Sequence, residues 1–452
     1  MNIFIHRRDL RIQDNTTLNK MYQVLKEPIV PIFIFTPEQI DNNPYFSNNL
    51  LQFLCGSLEE LNKDYETKGG HLHIYKGKVE TILNQLKREF GINSIGFNYD
   101  YSPYSKKRDT LIKQWASKHN IRLFHEEDML LVDIMKEPNY PNKEPYKVFT
   151  PFMRYQKTNY KVCLPKTMKI SFNSFPKRLS SELTTMESLF ITNKEIHVEP
   201  GRKEGLKQLS KLKRLNDYSE KRNLLTYQTS HLSAYINLGI LSIREVYKKG
   251  IQELGDGSFV DELYWRDFYY NILYHYPHVV GNSFNPKYDN IKWNTNKLMF
   301  DKWCKGQTGF PIVDACMRQL NTTGYMHNRG RMIVASFLTK DLLIDWRWGE
   351  KYFATQLVDY NISANNGGWQ WAAGSGTDAQ PYFRIFNPWT QNEKFDPDCI
   401  YIKHWIPELK EVDKKVILKW YSYNGTDISY PKPMVDHSVC YKNALETYKK
   451  YL

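Results

Sequence analysis

The sequence predicts an α/β N-terminal domain over residues 1–134, with a doubly wound, five-stranded parallel sheet, and an all-α domain over 201–452. Three observations predict it. Short β-branched or aromatic runs recur at 2–6, 29–35, 71–75, 92–98 and 121–124, with helical stretches between them. Strands that alternate with helices feed a parallel sheet, because each crossover must return the chain to the same end of the sheet. The rhythm breaks over 135–200, and beyond residue 200 no strand signal returns.

The opening run NIFIH begins the first strand, and the place that would hold a GxGxxG turn carries HRRDLRIQDN instead. A dinucleotide is therefore not expected there by the usual glycine-rich device. The stretch LLQFLCGSLEELNKDYETKG at 50–69 puts Leu51, Leu54, Leu58 and Leu61 on one helical stripe. Residues 135–200 are rich in Pro, Lys, Ser and Asn, with Pro138, Pro141, Pro145, Pro151, Pro165 and Pro176 spread along them, and read as an interdomain linker. After it, 311–320 and 331–345 repeat apolar residues at i, i+3 and i+4.

The chain of 452 residues is about three times the ~150 residues of one domain, so two or three domains with a large core are expected. A net charge of +13 suits a polyanionic partner, nucleic acid before an anionic membrane surface, although lysine-rich composition also serves solubility. The six cysteines show no CxxC spacing, which argues against a disulfide framework or a zinc site and for reduced thiols inside a cell. His71 with His73, and His275 with His278, read as strand and surface residues rather than metal ligands. No 18-residue apolar run occurs, so a soluble, intracellular protein is expected, in nucleus or cytoplasm.

Three blocks carry chemistry. NNGGWQWAAGSGTD at 365–378 joins two glycines to two tryptophans, a costly mixture for a helix, and reads as a loop cradling a flat ligand. Close by, MHNRGRM sets Asn328, Arg329 and Arg331 on a helix, with Asp359 and Asn365 on the loop side; an arginine and a carboxylate there can pair across a redox ring. In TSHLSAYINLG at 229–239, Thr229, Ser230 and Ser233 open a helix, where hydroxyls and free amides suit a pyrophosphate, or simply cap. In DELYWRDFYYNIL at 261–273, Glu262, Trp265 and Arg266 fall on adjoining helical faces, able to line one wall of a cavity for a base taken out of a duplex.

Together these blocks resemble the photolyase/cryptochrome family, from HRRDLRIQDN to RIFNPWTQNEKFD, and NNGGWQWAAGSGTDAQPYFRIFNP is similar to the form in class I photolyases acting on cyclobutane pyrimidine dimers. The resemblance implies an α/β antenna domain, a helical domain holding FAD folded in a U, and light-driven electron donation from reduced FAD to a dimer flipped out of UV-damaged DNA, by a monomer. By match, Tyr218, Thr229, Ser230, Leu232, Ser233, Arg331, Asp359, Asn361 and Asn365 would hold the flavin, with Asn365 facing its reactive nitrogen. Glu262 would stabilise the reduced dimer, Trp265, Met332 and Trp371 would wall its pocket, and Asn328 would stand at the rim. Arg222, Arg266, Arg329, Arg384 and Gln391 would meet DNA, and Trp369, Trp346 and Trp293 would carry electrons inward to oxidised flavin.

Three departures from the family pattern stand out. His231 occupies the variable position of the serine-rich helix opening, and Asn361 replaces a common aspartate, which bears on flavin redox tuning. Tyr104 and Ser105 stand where folate-binding members carry Asn and Glu; this argues against a methenyltetrahydrofolate antenna and leaves a deazaflavin, another flavin or none. Two other readings compete: a cryptochrome-like photoreceptor, which would need a longer C-terminal tail than one ending at Leu452, and a colourless nucleic-acid-binding protein.

Overall fold

Five parallel strands form one sheet in the order β3-β2-β1-β4-β5, where β1 is Asn2–His6, β2 Ile29–Phe35, β3 His73–Lys76, β4 Ser94–Asn98 and β5 Arg122–Glu126. The computed structural model describes residues 1–41, 43–135 and 144–451. The first two strands match the predicted runs residue for residue, while β3, β4 and β5 each begin one or two residues later than expected.

Burial on both faces explains why β1 and β2 read as continuous apolar runs. Phe4, Ile29, Phe33 and Phe35 face the core shared with α1 (Thr16–Leu25), α2 (Asn48–Glu66) and much of the helical domain. The alternate residues Ile3, Ile5, Val30, Ile32 and Ile34 face a second core under α3 (Val79–Phe90) and α4 (Pro103–Lys118). Pro31 fits this sheet because β3 joins β2 only from Ile32 onward.

Residues 144–200 lie against both domains. The helix α5 (Phe149–Asn159) packs Phe149 flat on Trp265, with ring centroids 3.7 Å apart, and farther on Ile29 bridges to Phe172 and Tyr75 to Glu182 at the sheet. Pro138 and Pro141 fall outside the described residues.

The domains share more than an apolar core. Arg244 pairs with Asp14 at 2.8 Å and Asp128 at 2.7 Å, Arg11 reaches Asp128 at 2.6 Å, and all four groups are buried. The Leu131 N–H also donates to Asp267 at 2.7 Å. A buried ion network loses most when one partner is removed, so it fixes one relative placement of the two domains.

In the helical domain, α6 (Ser258–His275), α7 (Asn328–Ser336) and α8 (Trp346–Gln356) each pack against α9 (Ile362–Ala373). Among the described residues, no helix is long and apolar enough to cross a membrane.

Candidate functional site

A cavity of about 520 Å³ opens between α6, α7, α9 and the turn at 229–233. The segment expected to be a loop, NNGGWQWAA, is instead most of helix α9. Two glycines in a helix cost about 1 kcal/mol each, and tertiary structure accounts for both. A Cβ on Gly367 would stand 2.1 Å from the Tyr269 ring, so this glycine lets α9 approach α6. A Cβ on Gly368 would meet, beyond its own stretch of helix, no atom of the described residues within 4 Å, and it would project into the cavity that this residue lines. The Asn361 cap offsets part of the cost, its side-chain oxygen accepting from the N–H groups of Ser363 and Ala364 at 3.0 and 3.2 Å.

Asn361 also donates its amide to Asn237 Oδ1 at 3.0 Å and to the Tyr270 hydroxyl at 2.7 Å. An aspartate at this position could cap the helix equally well but could not donate to Asn237, so the amide adds a bond that an acid would lack. One turn on, Asn365 donates to the Glu350 carbonyl at 3.0 Å, which orients its side chain within the cavity wall. Arg331 donates to both oxygens of Asp359 at 3.0 and 2.9 Å and to the Met326 carbonyl at 2.9 Å. This charged pair is fixed in the wall rather than free on the surface.

The cavity's other corner holds Thr229, Ser230, Leu232 and Ser233, with Ser233 opening a five-residue helix and His231 at φ +51°. Tyr325 closes that corner: His197 stacks on it at 4.0 Å, and its hydroxyl lies 3.4 Å from Thr229 Oγ1. His197 and His231 are joined at 2.8 Å, and burial pushes them down to about 4 and about 3.

At the mouth stand Tyr218, Arg222, Glu262, Trp265, Arg266, Asn328, Arg329, Met332 and Trp371. Glu262 is ion-paired with Arg222. Its surroundings desolvate the carboxyl and raise its pKa, against the pull of the guanidinium. Trp265 is backed by Phe149, and Asn328 Nδ2 lies 3.9 Å from Met332 Sδ. Arg329 donates to Asn223 Oδ1 at 2.7 Å, whereas Arg266 is turned back to the Met129 carbonyl at 2.6 Å.

Four expected residues lie outside the cavity lining. Trp346 is fully buried and Trp293 half-buried, each with an indole N–H that meets no acceptor among the described residues, while Arg384 is exposed and Gln391 has a buried Oε1 with no partner among them. Trp369 does line it, packed on Phe353 with centroids 4.9 Å apart. Tyr269 escaped the sequence reading although it follows Trp265 by four residues on the same helical face, a spacing that would have found it.

A second cavity of about 460 Å³ sits beyond the carboxyl ends of β1, β2 and β4, where the strand order reverses. Arg7, Arg8, Arg108, Thr36 and Tyr104 line it, and Tyr104 bonds Thr36 Oγ1 at 2.5 Å. Asn237 and Tyr360 line it from the helical domain, while Asp359 and Asn361 line the first cavity, so the two spaces share a wall.

The larger cavity suits FAD in size and chemistry: it falls within the ~300–1,000 Å³ of cofactor sites, with hydroxyls at one end, a fixed Arg–Asp pair and amide in its walls, and a glycine that leaves room. Comparison with known proteins agrees. Family models match at residues 2–169, described as DNA photolyase, and at 259–450, described as the FAD binding domain of DNA photolyase. A deoxyribodipyrimidine photo-lyase of Synechococcus sp. is 34% identical over 99% of this chain and 96% of its own. An archaeal photolyase from Sulfolobus tokodaii, solved with two FAD molecules, is 38% identical with a TM-score of 0.89 over 100% of both chains. A class III photolyase from Agrobacterium tumefaciens is 33% identical with a TM-score of 0.92, covering 99% of this chain and 97% of its own.

Proposed function

The chain belongs to the DNA photolyase family, and from that premise we propose that it repairs cyclobutane pyrimidine dimers in UV-damaged DNA under light, with FAD in the larger cavity. One observation carries the proposal. A single cavity joins a flavin-type end, with Arg331, Asp359 and Asn365, to a mouth walled by Glu262, Trp265, Met332 and Trp371.

A reduced FAD held by Tyr218, Thr229, Ser230, Ser233, Arg331, Asp359 and Asn365 would supply the light-excitable electron donor that ring opening needs. The protein's own residues do the rest. Thr229, Ser230 and Ser233 would offer hydroxyls to the pyrophosphate, and the half-buried Arg331, held by the buried Asp359, would give the flavin end of the cavity fixed charges. Trp265, backed by Phe149, and Trp371 form apolar walls against which a flipped pyrimidine pair can pack, and Glu262 hydrogen-bonds the base edge. Arg222 and Arg329 at the rim, with Arg384 and Gln391 farther out, meet the phosphates. We assign Trp369, Trp346 and Trp293 to the inward electron path; the step from buried rings to a half-exposed one supports that direction.

We also assign a flavin-type chromophore to the second cavity. Three arginines suit a phosphorylated ligand, and the Sulfolobus relative was solved with two FAD molecules. Chromatography of chromophores released from purified protein checks this.

The repair reading is tested by illuminating reduced protein with a dimer-containing oligonucleotide and measuring restored thymines. Absence of light-dependent restoration would refute it.

A further inference from the structure

Arg222 ends the short helix Tyr218–Lys221 at the cavity rim and is paired with Glu262, 40 residues away. About a third of each side chain is open to solvent, 34% for Arg222 and 37% for Glu262. An ion pair so exposed is weakly held. The guanidinium lies 5.9 Å from the Tyr218 ring centroid, and Arg329 shares the rim and adds to its positive field. Among the described residues, Asp261, Tyr218 and Tyr269 also interact with Glu262, and Arg266 and Arg329 share the cavity mouth with it.

We propose that Arg222 is a positioning residue that docked DNA draws off Glu262, turning the carboxylate at the cavity mouth into a neutral hydrogen-bond donor when a damaged strand is seated. This rests on the dimer-repair reading above. A phosphate offers the guanidinium a bidentate partner that competes with the carboxylate. Once the strand covers the mouth, Glu262 loses both water and its counter-charge. Partial desolvation by the cavity walls already favours its protonated form, and Arg222 is the main influence opposing that. The carboxylate then takes one proton from solvent and becomes a carboxylic acid, with no other bond made or broken. The change matters for recognition. Pyrimidine carbonyl oxygens are acceptors, and an ionised carboxylate can only accept, so the neutral acid alone donates to them.

The test uses the flavin-bound full chain with a duplex carrying one thymine dimer and with the same duplex undamaged. Infrared difference spectra follow the protonated-carboxyl band, assigned to Glu262 by its loss in Glu262→Gln. Calorimetry in buffers of different ionisation enthalpy counts protons. The expected results are an upward move of the Glu262 titration midpoint on adding dimer duplex, and uptake of up to about one proton per complex. Arg222→Met should show the raised midpoint before DNA is added, and Arg222→Lys should restore the lower one. The same midpoint with and without dimer duplex, while the duplex binds with salt-dependent affinity, overturns the Arg222 proposal and leaves the repair reading standing. Failure to bind either duplex overturns both.

Discussion

Replacing Gly367 and Gly368 separately by alanine should have opposite consequences, although the two are neighbours in one helix. At Gly367 the new methyl would lie 2.1 Å from Tyr269 Cδ1 and 2.2 Å from Cε1, more than an ångström inside ordinary contact. The ring lies between α6 and α9 at the cavity wall, so the helices must separate or Tyr269 must swing into the cavity. Overpacking of this kind costs roughly 1–3 kcal/mol, offset by the roughly 1 kcal/mol that alanine gains over glycine in a helix. At Gly368 the methyl meets no described residue beyond its own stretch of helix, and only the helical gain of roughly 1 kcal/mol remains. Gly368→Ala stripped of flavin should therefore unfold at the wild-type temperature or slightly above it, yet purify with less flavin. Gly367→Ala should melt lower. Thermal unfolding of the stripped proteins and the flavin-to-protein absorbance ratio read both effects. A full flavin complement in Gly368→Ala would refute the reasoning that this glycine makes room for the cofactor.

Glu262→Ala should lower repair yield while flavin stays bound, because Glu262 stands at the mouth, away from the Arg331–Asp359 pair; yield per absorbed photon checks this. Trp369→Phe should stop photoreduction of oxidised flavin yet leave repair by chemically reduced protein intact, as flavin absorbance under continuous light will report. His197 is held down to about 4 by burial, against 6.5 as an ordinary histidine. The unfolded chain thus binds the extra proton between those values, and this contribution is complete above pH 6.5 and lost as pH falls toward 4. His197→Phe, which keeps the stack on Tyr325, should flatten the fall in urea midpoint over that window relative to wild type.

Local pattern carried the strands well, because β1 and β2 are buried on both faces and so appear as unbroken apolar runs. The helix α9 was not legible, since intrinsic preference argues against Asn-Asn-Gly-Gly in a helix, and the reason it forms lies with Tyr269, about a hundred residues earlier. Site residues were found through motif resemblance, but their pairings were not. Nothing local joins Arg222 to Glu262 or Asn361 to Asn237, because those contacts exist only once α6, α9 and the 229–237 segment have packed. Arg266 shows the same limit: spacing sets it beside Trp265, while the first domain's Met129 carbonyl decides where its guanidinium goes.

The Asp14–Arg244–Asp128–Arg11 cluster between the domains has a mechanical consequence. With two halves riveted by buried charge and a continuous apolar core, a clamshell closure around a substrate would have to break both. On the function proposed, the protein is the anvil and the double helix is the part that bends. The work of unstacking then falls on the duplex, where a lesion has already loosened it. Damaged sites are thereby sorted from sound ones by their own weakness before any side chain reads a base.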